Sequence, residues 1–260
     1  HGLELVVVGR SAVASNRAQE GLRQMPSDVS VHYVQADLGE RHDVAAMVAT
    51  ARGLGPVRVL IHGAAVNEPA RMQDLSGDSL QAHLRPKVVG LAHLLEEAGS
   101  ELVLLVTFGS IIGRTGFEGQ AAYCIASDWL RAITEDWAQE HASCLVRHIE
   151  WSVWSGSGMG LRMGVIDRLR RAGVAPIPPK LGIAAFLACL DRAEEATTRT
   201  VASRVPPGPH LVAVGADRAL LGRFHEEVLE FSPGVELITH SMLGPDTDPY
   251  LEDHRIAGQL

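Results

Sequence analysis

The sequence lacks several features that would assign it at once to a class of proteins. Aromatic residues make up only 5% of the 260 residues, and this scarcity beside abundant alanine, valine, leucine and glycine favours helices packed on a sheet over a β-sandwich. No apolar run reaches the roughly 18 residues that cross a bilayer, and we expect no signal peptide, because the sequence opens directly on a strand-like run. We therefore expect a folded globular protein with no membrane partner.

Positive charge and cysteine are also scarce. The 23 Lys and Arg residues are outnumbered by 31 Asp and Glu residues, and the net charge of −8 leaves no broad positive surface for nucleic acid. Cys124, Cys144 and Cys189 stand far apart, without a CxxC pair or a Cys/His cluster. This spacing argues against a disulfide framework and against a zinc or other metal site, and it fits a reducing compartment such as the cytoplasm.

The sequence does contain a regular alternation of strand-like and helical segments. The strand-like runs are short and rich in β-branched residues, as strands buried on both faces of a sheet are. Their alternation with helices predicts an α/β fold with a doubly wound parallel sheet. The predicted strands cover residues 3–8, 31–34, 57–61, 102–108, 145–149 and, more weakly, 211–214, and the helices cover 18–24, 43–52, 79–97, 121–140 and 181–195, within which 183–190 is expected to be a core helix.

The phosphate-binding turn of a dinucleotide-binding sheet is missing. Such a sheet starts with a strand, a glycine-rich turn and a helix whose N–H groups hold the pyrophosphate. Neither G-x-x-x-G-x-G nor G-x-G-x-x-G follows a first strand here, and the run at residues 3–8 ends in Gly9-Arg10-Ser11, as a second strand of this fold would. We therefore expect the first strand and its turn to lie upstream of His1, since the sequence also opens without Met.

Two residues at element ends point to carbonyl chemistry. Ser110 ends the fourth predicted strand, and Tyr123 follows Gln120-Ala121-Ala122 at the start of a long predicted helix. Both side chains can face the crevice at the carboxyl ends of the strands, where open α/β sheets bind ligands. A serine hydroxyl there can hold a carbonyl oxygen while a phenol protonates it as hydride arrives at the carbon. A nearby lysine ammonium would lower the pKa of the phenol.

With these residues the sequence resembles the short-chain dehydrogenase/reductase superfamily, whose fold is Rossmann-like. Ordinary members have a lysine four residues after the tyrosine, where this chain has Ser127. Ketoreductase domains of type I polyketide and fatty acid synthases carry that lysine on the preceding helix, and Arg85-Pro86-Lys87-Val88 is similar to their segment. The resemblance implies that Lys87, Ser110 and Tyr123 are catalytic and that Ser127 replaces an asparagine of the proton relay.

The same resemblance implies a binding site for NADPH. Arg10 and Ser11 match the position that binds the 2′-phosphate, where a guanidinium suits the geometry. Asp37 and Leu38 resemble the pair beside the adenine ring, although an Asp after a strand is often a helix cap. The implied contacts also include a turn of small residues, His62, Gly63 and Ala64, in which His62 is expected mainly to pack. They end with Trp154, one of a tryptophan pair that is equally suited to the core.

Longer phrases within residues 107–160 are similar to the ketoreductases of iterative, enediyne-type synthases. Near the end of the chain, Asp248-Pro249-Tyr250 leads into His254 and Gly258, which resemble the opening of the HxxxGxxxxP motif of a hotdog-fold dehydratase. In that family the histidine removes the α-proton, but this chain stops before the motif's proline. The predicted organisation is a ketoreductase domain at 1–200, a linker or edge segment at 201–235 and the beginning of a dehydratase at 236–260.

Two functions from different classes remain open on the sequence alone. The first is an NADPH-dependent reductase of β-ketoacyl chains, held as thioesters on the phosphopantetheine of an acyl carrier protein. The second is a catalytically inactive scaffold domain, which Ser127 and the missing glycine-rich turn favour. A free-standing dehydrogenase is disfavoured because Tyr123 lacks a lysine four residues later.

The resemblance also implies partners. These are neighbouring synthase domains, the carrier protein and a second copy in a homodimer formed through the parent synthase. The basic run at residues 168–171 is either a solvated helix end or a contact for the acidic carrier or its phosphopantetheine.

Overall fold

The protein is described by a computed structural model of the 260-residue chain. The structure describes residues 2–156, 158–171, 173–191, 196–202, 227–232 and 236–240. The chain divides into two compact units, His1–Pro206 and Pro207–Leu260. All predicted reductase site residues belong to the first unit, whereas His254 and Gly258 lie outside the described residues.

Strands and helices alternate through the first unit. The strands are β1 (Glu4–Gly9), β2 (Ser30–Gln35), β3 (Val59–His62), β4 (Leu104–Ser110), β5 (Leu145–Trp151) and β6 (Thr198–Val201). The helices are α1 (Asn16–Arg23), α2 (Arg41–Leu54), α3 (Gly77–Leu84), α4 (Gly90–Ala98), α5 (Ile112–Thr115), α6 (Ala121–Glu140), α7 (Gly158–Arg162), α8 (Ile166–Arg171) and α9 (Pro179–Cys189). A π-helical turn, Arg85–Val89, joins α3 to α4, and 3-10 turns lie at Met72–Asp74 and Gly99–Glu101.

The strands pair in parallel in two groups. β1 pairs with β2, and β3, β4, β5 and β6 pair in this order. The register places Ser110 opposite Trp151, so β4 and β5 end side by side. The α/β fold with a parallel sheet is thus confirmed. β6 was not predicted, and the strand predicted at 211–214 lies outside the described residues.

The helix predicted at residues 79–97 is interrupted in its middle. α3 and α4 are joined by the π-helical turn Arg85–Val89. Pro86 explains the interruption, because a proline ring lacks an N–H and collides in a regular helix with the carbonyl four residues earlier. The turn buries Lys87 at 1% exposure, and π-helical turns often occur at functional sites.

Apolar side chains pack between the helices and the sheet. Val44 and Met47 of α2 pack with Leu94 of α4, and α6 contributes Leu130 to a cluster with Leu105 of β4. Burial of such side chains is the main favourable term in folding and holds the helices on the sheet. The catalytic candidates on β4 and α6 are therefore carried by well-packed elements.

The helix α9 differs from the expected core helix. Its residues Ala185 and Phe186 pack on the sheet, and the Phe186 ring meets Phe108 edge to face with centroids 6.0 Å apart. On its other face, Ile183 and Leu187 are 56% and 61% exposed. The expectation was wrong for this face because an unbroken apolar run does not tell which side of a helix meets the core.

The second unit contains a β-hairpin among its described residues. β7 (Glu227–Ser232) pairs antiparallel with β8 (Glu236–His240). The domain boundary predicted between residues 235 and 236 thus falls in the connection between two paired strands. Residues of the predicted linker or edge segment and of the predicted dehydratase start share one local structure.

A chain of buried hydrogen bonds ties α6 to β4 and β5. Thr134 on α6 donates to a carbonyl of its own helix at 2.7 Å, so its oxygen accepts from the Thr107 hydroxyl at 3.0 Å. Thr107 in turn accepts from Nδ1–H of His148 at 2.7 Å. Burial lowers the pKa of His148 to about 3, which keeps the ring neutral. The ring lies against Gly109, where any Cβ would collide with it.

An ion pair between the exposed Arg114 and the buried Glu150 holds α5, the short helix after Ser110, against β5. Glu150 is 2% exposed, and both of its carboxylate oxygens accept from Arg114 Nε, at 2.7 and 2.9 Å. The Thr200 hydroxyl on β6 donates a further hydrogen bond at 2.7 Å. Because a buried carboxylate is strongly destabilising without its cation, this pair fixes the path of the chain beyond Ser110.

Arg114→Met is expected to lower the free energy of unfolding by about 2 kcal/mol, because it leaves the buried Glu150 carboxylate without its cation, while the exposure of Arg114 limits the loss. Urea denaturation measures the loss. Arg170→Met is the matched control, since Arg170 pairs with Asp167 on the surface and exposed pairs contribute at most about 1 kcal/mol. Equal losses in the two variants would contradict the structural role of the Arg114–Glu150 pair.

Candidate active site

A cavity of about 530 Å³ opens at the carboxyl ends of β4 and β5. The structure brings Ser110, at the end of β4, and Tyr123, in the first turn of α6, together in its wall. Aromatic rings form much of the rest, and Trp151 packs edge to face on Phe108 and Trp154. A mostly apolar cavity with a few convergent polar groups is the usual form of a small-molecule site.

Lys87 and Ser127 lie against Tyr123. Lys87 Nζ is 4.3 Å from the centroid of the Tyr123 ring, which is a cation–π contact, and it donates to Ser127 Oγ at 2.7 Å. Ser127 stands one helical turn after Tyr123, where its hydroxyl acts to lower the pKa of the phenol. The Ser127 hydroxyl therefore links the ammonium to the phenol, at the position where the resemblance implies an asparagine.

Burial shifts the pKa of both ionisable groups of this trio. Desolvation disfavours the ammonium and lowers the pKa of Lys87 to about 7. It raises the pKa of Tyr123 to about 12, and the hydrogen bond with Ser127 offsets only part of that rise. The pKa of the phenol is thus raised rather than lowered, because desolvation is the largest effect on it. At pH 7 Tyr123 is a protonated phenol, the form that can donate a proton.

His62 positions the backbone of Lys87. At the end of β3 its buried ring donates from Nε2–H to the Lys87 carbonyl at 2.9 Å. Burial lowers the pKa of His62 to about 4, so the ring is neutral at pH 7 and carries its proton on Nε2. Sequence reasoning placed His62 among the cofactor contacts and expected it mainly to pack. In the structure its side chain is bonded to the segment that carries Lys87.

The turn expected to bind the 2′-phosphate of the cofactor follows β1. Tyr33 on β2 donates from its hydroxyl to the Ser11 carbonyl at 2.6 Å, and Gln35 Nε2 donates to the Arg10 carbonyl at 3.2 Å. A Cβ at Gly9 would crowd the Tyr33 hydroxyl, which explains the glycine there. The backbone of the turn is held by β2, while the Arg10 side chain is exposed.

Asp37 and Leu38 follow β2, and both are engaged locally. Asp37 Oδ1 accepts from the Gly39 N–H at 2.9 Å, which is a turn role close to the cap that the sequence left as an alternative. The Leu38 carbonyl accepts from Nδ1 of His93 at 3.0 Å, and its Cβ lies against Gly90 at the start of α4. Leu38 therefore packs the end of β2 onto α4.

The other predicted cofactor contacts divide between the cavity wall and its surroundings. Gly63 and Trp154 line the cavity. Phe108 lies 3.2 Å from the place that a Cβ at Gly63 would take, so a side chain there would press on the ring. Ala64, the next residue, is half buried.

The cavity wall also contains polar residues that sequence reasoning did not single out. Four polar side-chain atoms of this wall are buried and have no hydrogen-bond partner among the described residues: Asn67 Oδ1, Gln120 Oε1, Trp151 Nε1 and Ser152 Oγ. Such groups are rare in native proteins and point to a missing partner. Gln120 was visible as the residue before α6. Asn67 could not be found in this way, because nothing in the sequence shows that its loop lies beside Gln120. In the structure the Ala70 N–H of that loop donates to the Gly119 carbonyl at 3.0 Å.

The remaining sequence-based exclusions concern metals, thiols and membranes. No group of three or more His, Cys, Asp or Glu that could hold a metal ion occurs among the described residues. None of the three cysteines, all of which lie in the described ranges, forms a disulfide bond, and Cys144 is buried while Cys124 and Cys189 are half buried. Within the same ranges, no helix has the length and the apolar character needed to cross a membrane.

Comparison with known proteins covers most of the chain. The sequence model of the KR domain matches residues 1–156. Polyketide synthase GfsA of Streptomyces halstedii is 31% identical over 204 residues, and the spectinabilin polyketide synthase system protein NorB of Streptomyces orinoci is 31% identical over 191 residues. These matches cover 76% and 71% of this chain, which spans only 3% and 9% of the two relatives.

A solved structure agrees with the sequence relatives. The ketoreductase domain from the bacillaene assembly line matches with a TM-score of 0.69 at 25% identity, over 76% of this chain and 49% of that one. Family model, relatives and fold thus agree over the part of the chain that holds Ser110, Tyr123 and Lys87. The chain belongs to the KR domain family, the ketoreductase domains of polyketide synthases.

Proposed function

We propose that this chain uses NADPH to reduce a β-ketoacyl thioester, held on the phosphopantetheine of an acyl carrier protein, to the β-hydroxyacyl thioester. The observation that carries the proposal is the trio of Lys87, Ser127 and Tyr123, joined by a 2.7 Å hydrogen bond and a 4.3 Å cation–π contact beside the cavity that Ser110 lines. The carrier protein, the neighbouring synthase domains, the homodimer through the parent synthase and a cytoplasmic location belong to the same proposal.

The polar groups of the cavity fit a nicotinamide ring. Trp151 Nε1 is a donor and Ser152 Oγ is both donor and acceptor, and neither has a partner within the described ranges. A carboxamide offers both kinds of partner. For the adenosine end of the cofactor, the exposed Arg10 guanidinium suits a 2′-phosphate, which favours NADPH. The residues that would hold the cofactor are Arg10, Ser11, Asp37, Leu38, Gly63, Ala64, Trp151, Ser152 and Trp154.

The chain's own residues would orient the ketone and supply a proton. When bound, the nicotinamide supplies hydride to the β-carbon. Ser110 donates a hydrogen bond to the carbonyl oxygen and holds it beside Tyr123. As negative charge develops on that oxygen, the Tyr123 phenol gives it a proton. The phenolate that remains is stabilised by the Ser127 hydroxyl and the Lys87 ammonium, and Ser127 can pass a proton back because it accepts from Lys87 and interacts with the phenol.

Two finer assignments rest on the sequence resemblance. We propose the enediyne type from the phrases within residues 107–160, and we propose the start of a dehydratase from His254 and Gly258. The proposed layout therefore keeps the ketoreductase at 1–200, the linker or edge segment at 201–235 and the dehydratase start at 236–260, with the hairpin β7–β8 across the last boundary.

Tyr123→Phe is expected to slow NADPH oxidation with acetoacetyl pantetheine by at least about 100-fold, because it removes the general acid. The loss of NADPH absorbance measures the rate, and an NADPH titration shows whether the cofactor site is intact. Ile125→Ala, an exposed change on the same helix, is the control. Undiminished activity in Tyr123→Phe would overturn the assignment, and a wild type that binds NADPH saturably but reduces no thioester would identify the chain as an inactive scaffold.

Ser127→Ala is expected to lower kcat about tenfold or more with little change in KM, since charge-assisted hydrogen bonds contribute about 1.5–3 kcal/mol. The variant removes the hydroxyl that links Lys87 to Tyr123 but keeps both catalytic groups. Ser30→Ala on β2 is the matched control because that serine is exposed. An unchanged kcat would show that the hydroxyl is not part of the proton path.

The buried Lys87 should make stability rise with pH. Its pKa is lowered to about 7 in the folded chain from an ordinary value of 10.5, so the unfolded chain binds more protons between these values. The free energy of unfolding should therefore increase by about 3 to 4 kcal/mol between pH 7 and pH 10, relative to Lys87→Met. Urea denaturation of both proteins across this range measures the difference. A difference that is constant with pH would show that folding does not lower the pKa of Lys87.

A further inference from the structure

The segment of residues 158–180, termed the cap below, presents two different surfaces. It contains α7, α8 and the chain that leads to α9. Five of its apolar side chains line the active-site cavity, namely Met159, Met163, Val165, Leu169 and Val174, whereas Leu161 is exposed. The cap thus forms the part of the cavity wall that is built from short helices rather than from the sheet.

Basic side chains cover the other surface of the cap. The cap holds five of the 23 Lys and Arg residues of the chain but only one of its 31 acidic residues, Asp167. Arg162, Arg170, Arg171 and Lys180 are exposed. Asp167 forms an ion pair with Arg170 at 3.2 Å, and such exposed pairs contribute little. The positive charge of the cap is therefore largely uncompensated within the cap itself.

This patch contrasts with the rest of the molecule. The whole chain has a net charge of −8 although the cap is basic, so the residues outside the cap are together more acidic than the average and give an acidic partner no net attraction. Arg162 belongs both to the exposed basic set and to the cavity lining. The positive charge that can attract an acidic partner thus lies beside the cavity that Ser110 and Tyr123 line.

We propose that the basic surface of the cap docks the acidic carrier protein that delivers the thioester. This inference rests on the proposed function and adds to it the surface that the partner uses. The carrier's acidic face would lie on Arg162, Arg170 and Arg171, and the phosphate of its arm would lie closest to Arg162. From there the arm would lead the acyl chain along the apolar inner surface of the cap towards Ser110 and Tyr123. Complementary charge of this kind sets the association rate and the orientation of partners.

The experiment measures carrier binding directly. A fluorescently labelled, phosphopantetheine-bearing bacterial acyl carrier protein is titrated with this chain and followed by anisotropy. The triple variant Arg162→Glu, Arg170→Glu, Arg171→Glu is expected to raise Kd at least about tenfold, and added salt should raise the wild-type Kd because exposed charges are screened. The matched control reverses three exposed arginines outside the cap: Arg23→Glu, Arg41→Glu and Arg58→Glu.

The control should change Kd by less than about twofold, since it alters net charge equally but leaves the cap intact. The NADPH Kd of the cap variant should equal that of the wild type. The proposal is overturned if the cap variant binds the carrier as tightly as the wild type, if the control weakens binding equally, or if only NADPH binding weakens. Carrier binding by a wild type that reduces no β-ketoacyl thioester would leave the docking surface standing and remove the proposed reaction.

Discussion

The buried ammonium of Lys87 is the constraint on which the active site depends. A lysine interior to the fold is unfavourable, and desolvation lowers its pKa to about 7. Several contacts hold it there all the same. Pro86 widens the helix at that turn, His62 donates to the Lys87 carbonyl, and Ser127 accepts from Nζ. A side chain held from both its backbone and its tip cannot relax towards water without breaking these contacts.

The other catalytic candidates come from separate elements, and buried polar contacts keep those elements in register. Ser110 belongs to β4 and Tyr123 to α6, and the hydrogen bonds from Thr134 through Thr107 to His148 join the two. The pair of Arg114 and Glu150 holds the chain that follows Ser110. Packing of the apolar core sets the approximate position of each helix on the sheet. Directional hydrogen bonds and ion pairs such as these set the relative positions of the side chains as precisely as proton transfer requires.

The sequence predicted the long elements that carry the catalytic candidates better than the short helices that surround the cavity. The helix at residues 121–140 coincides with α6, because a long periodic pattern averages over single residues. Ser110, Tyr123 and Lys87 followed from spacing and resemblance. The helices α5, α7 and α8 have only four to six residues, too few for a period to show. The high pKa of Tyr123 and the role of His62 depend on burial and on contacts between distant segments, which no local pattern reports.

The most direct test of the buried ammonium is an NMR titration of the lysine side chains. The chain has only two lysines, Lys87 and Lys180, so carbon-13 labelling at Cε gives two resonances that single substitutions assign. Lys180 is exposed and serves as the internal reference. The account predicts that the Lys87 resonance titrates near pH 7, well below that of Lys180, and that the separation collapses in denaturant. Titration of the two resonances together in the folded protein would contradict it.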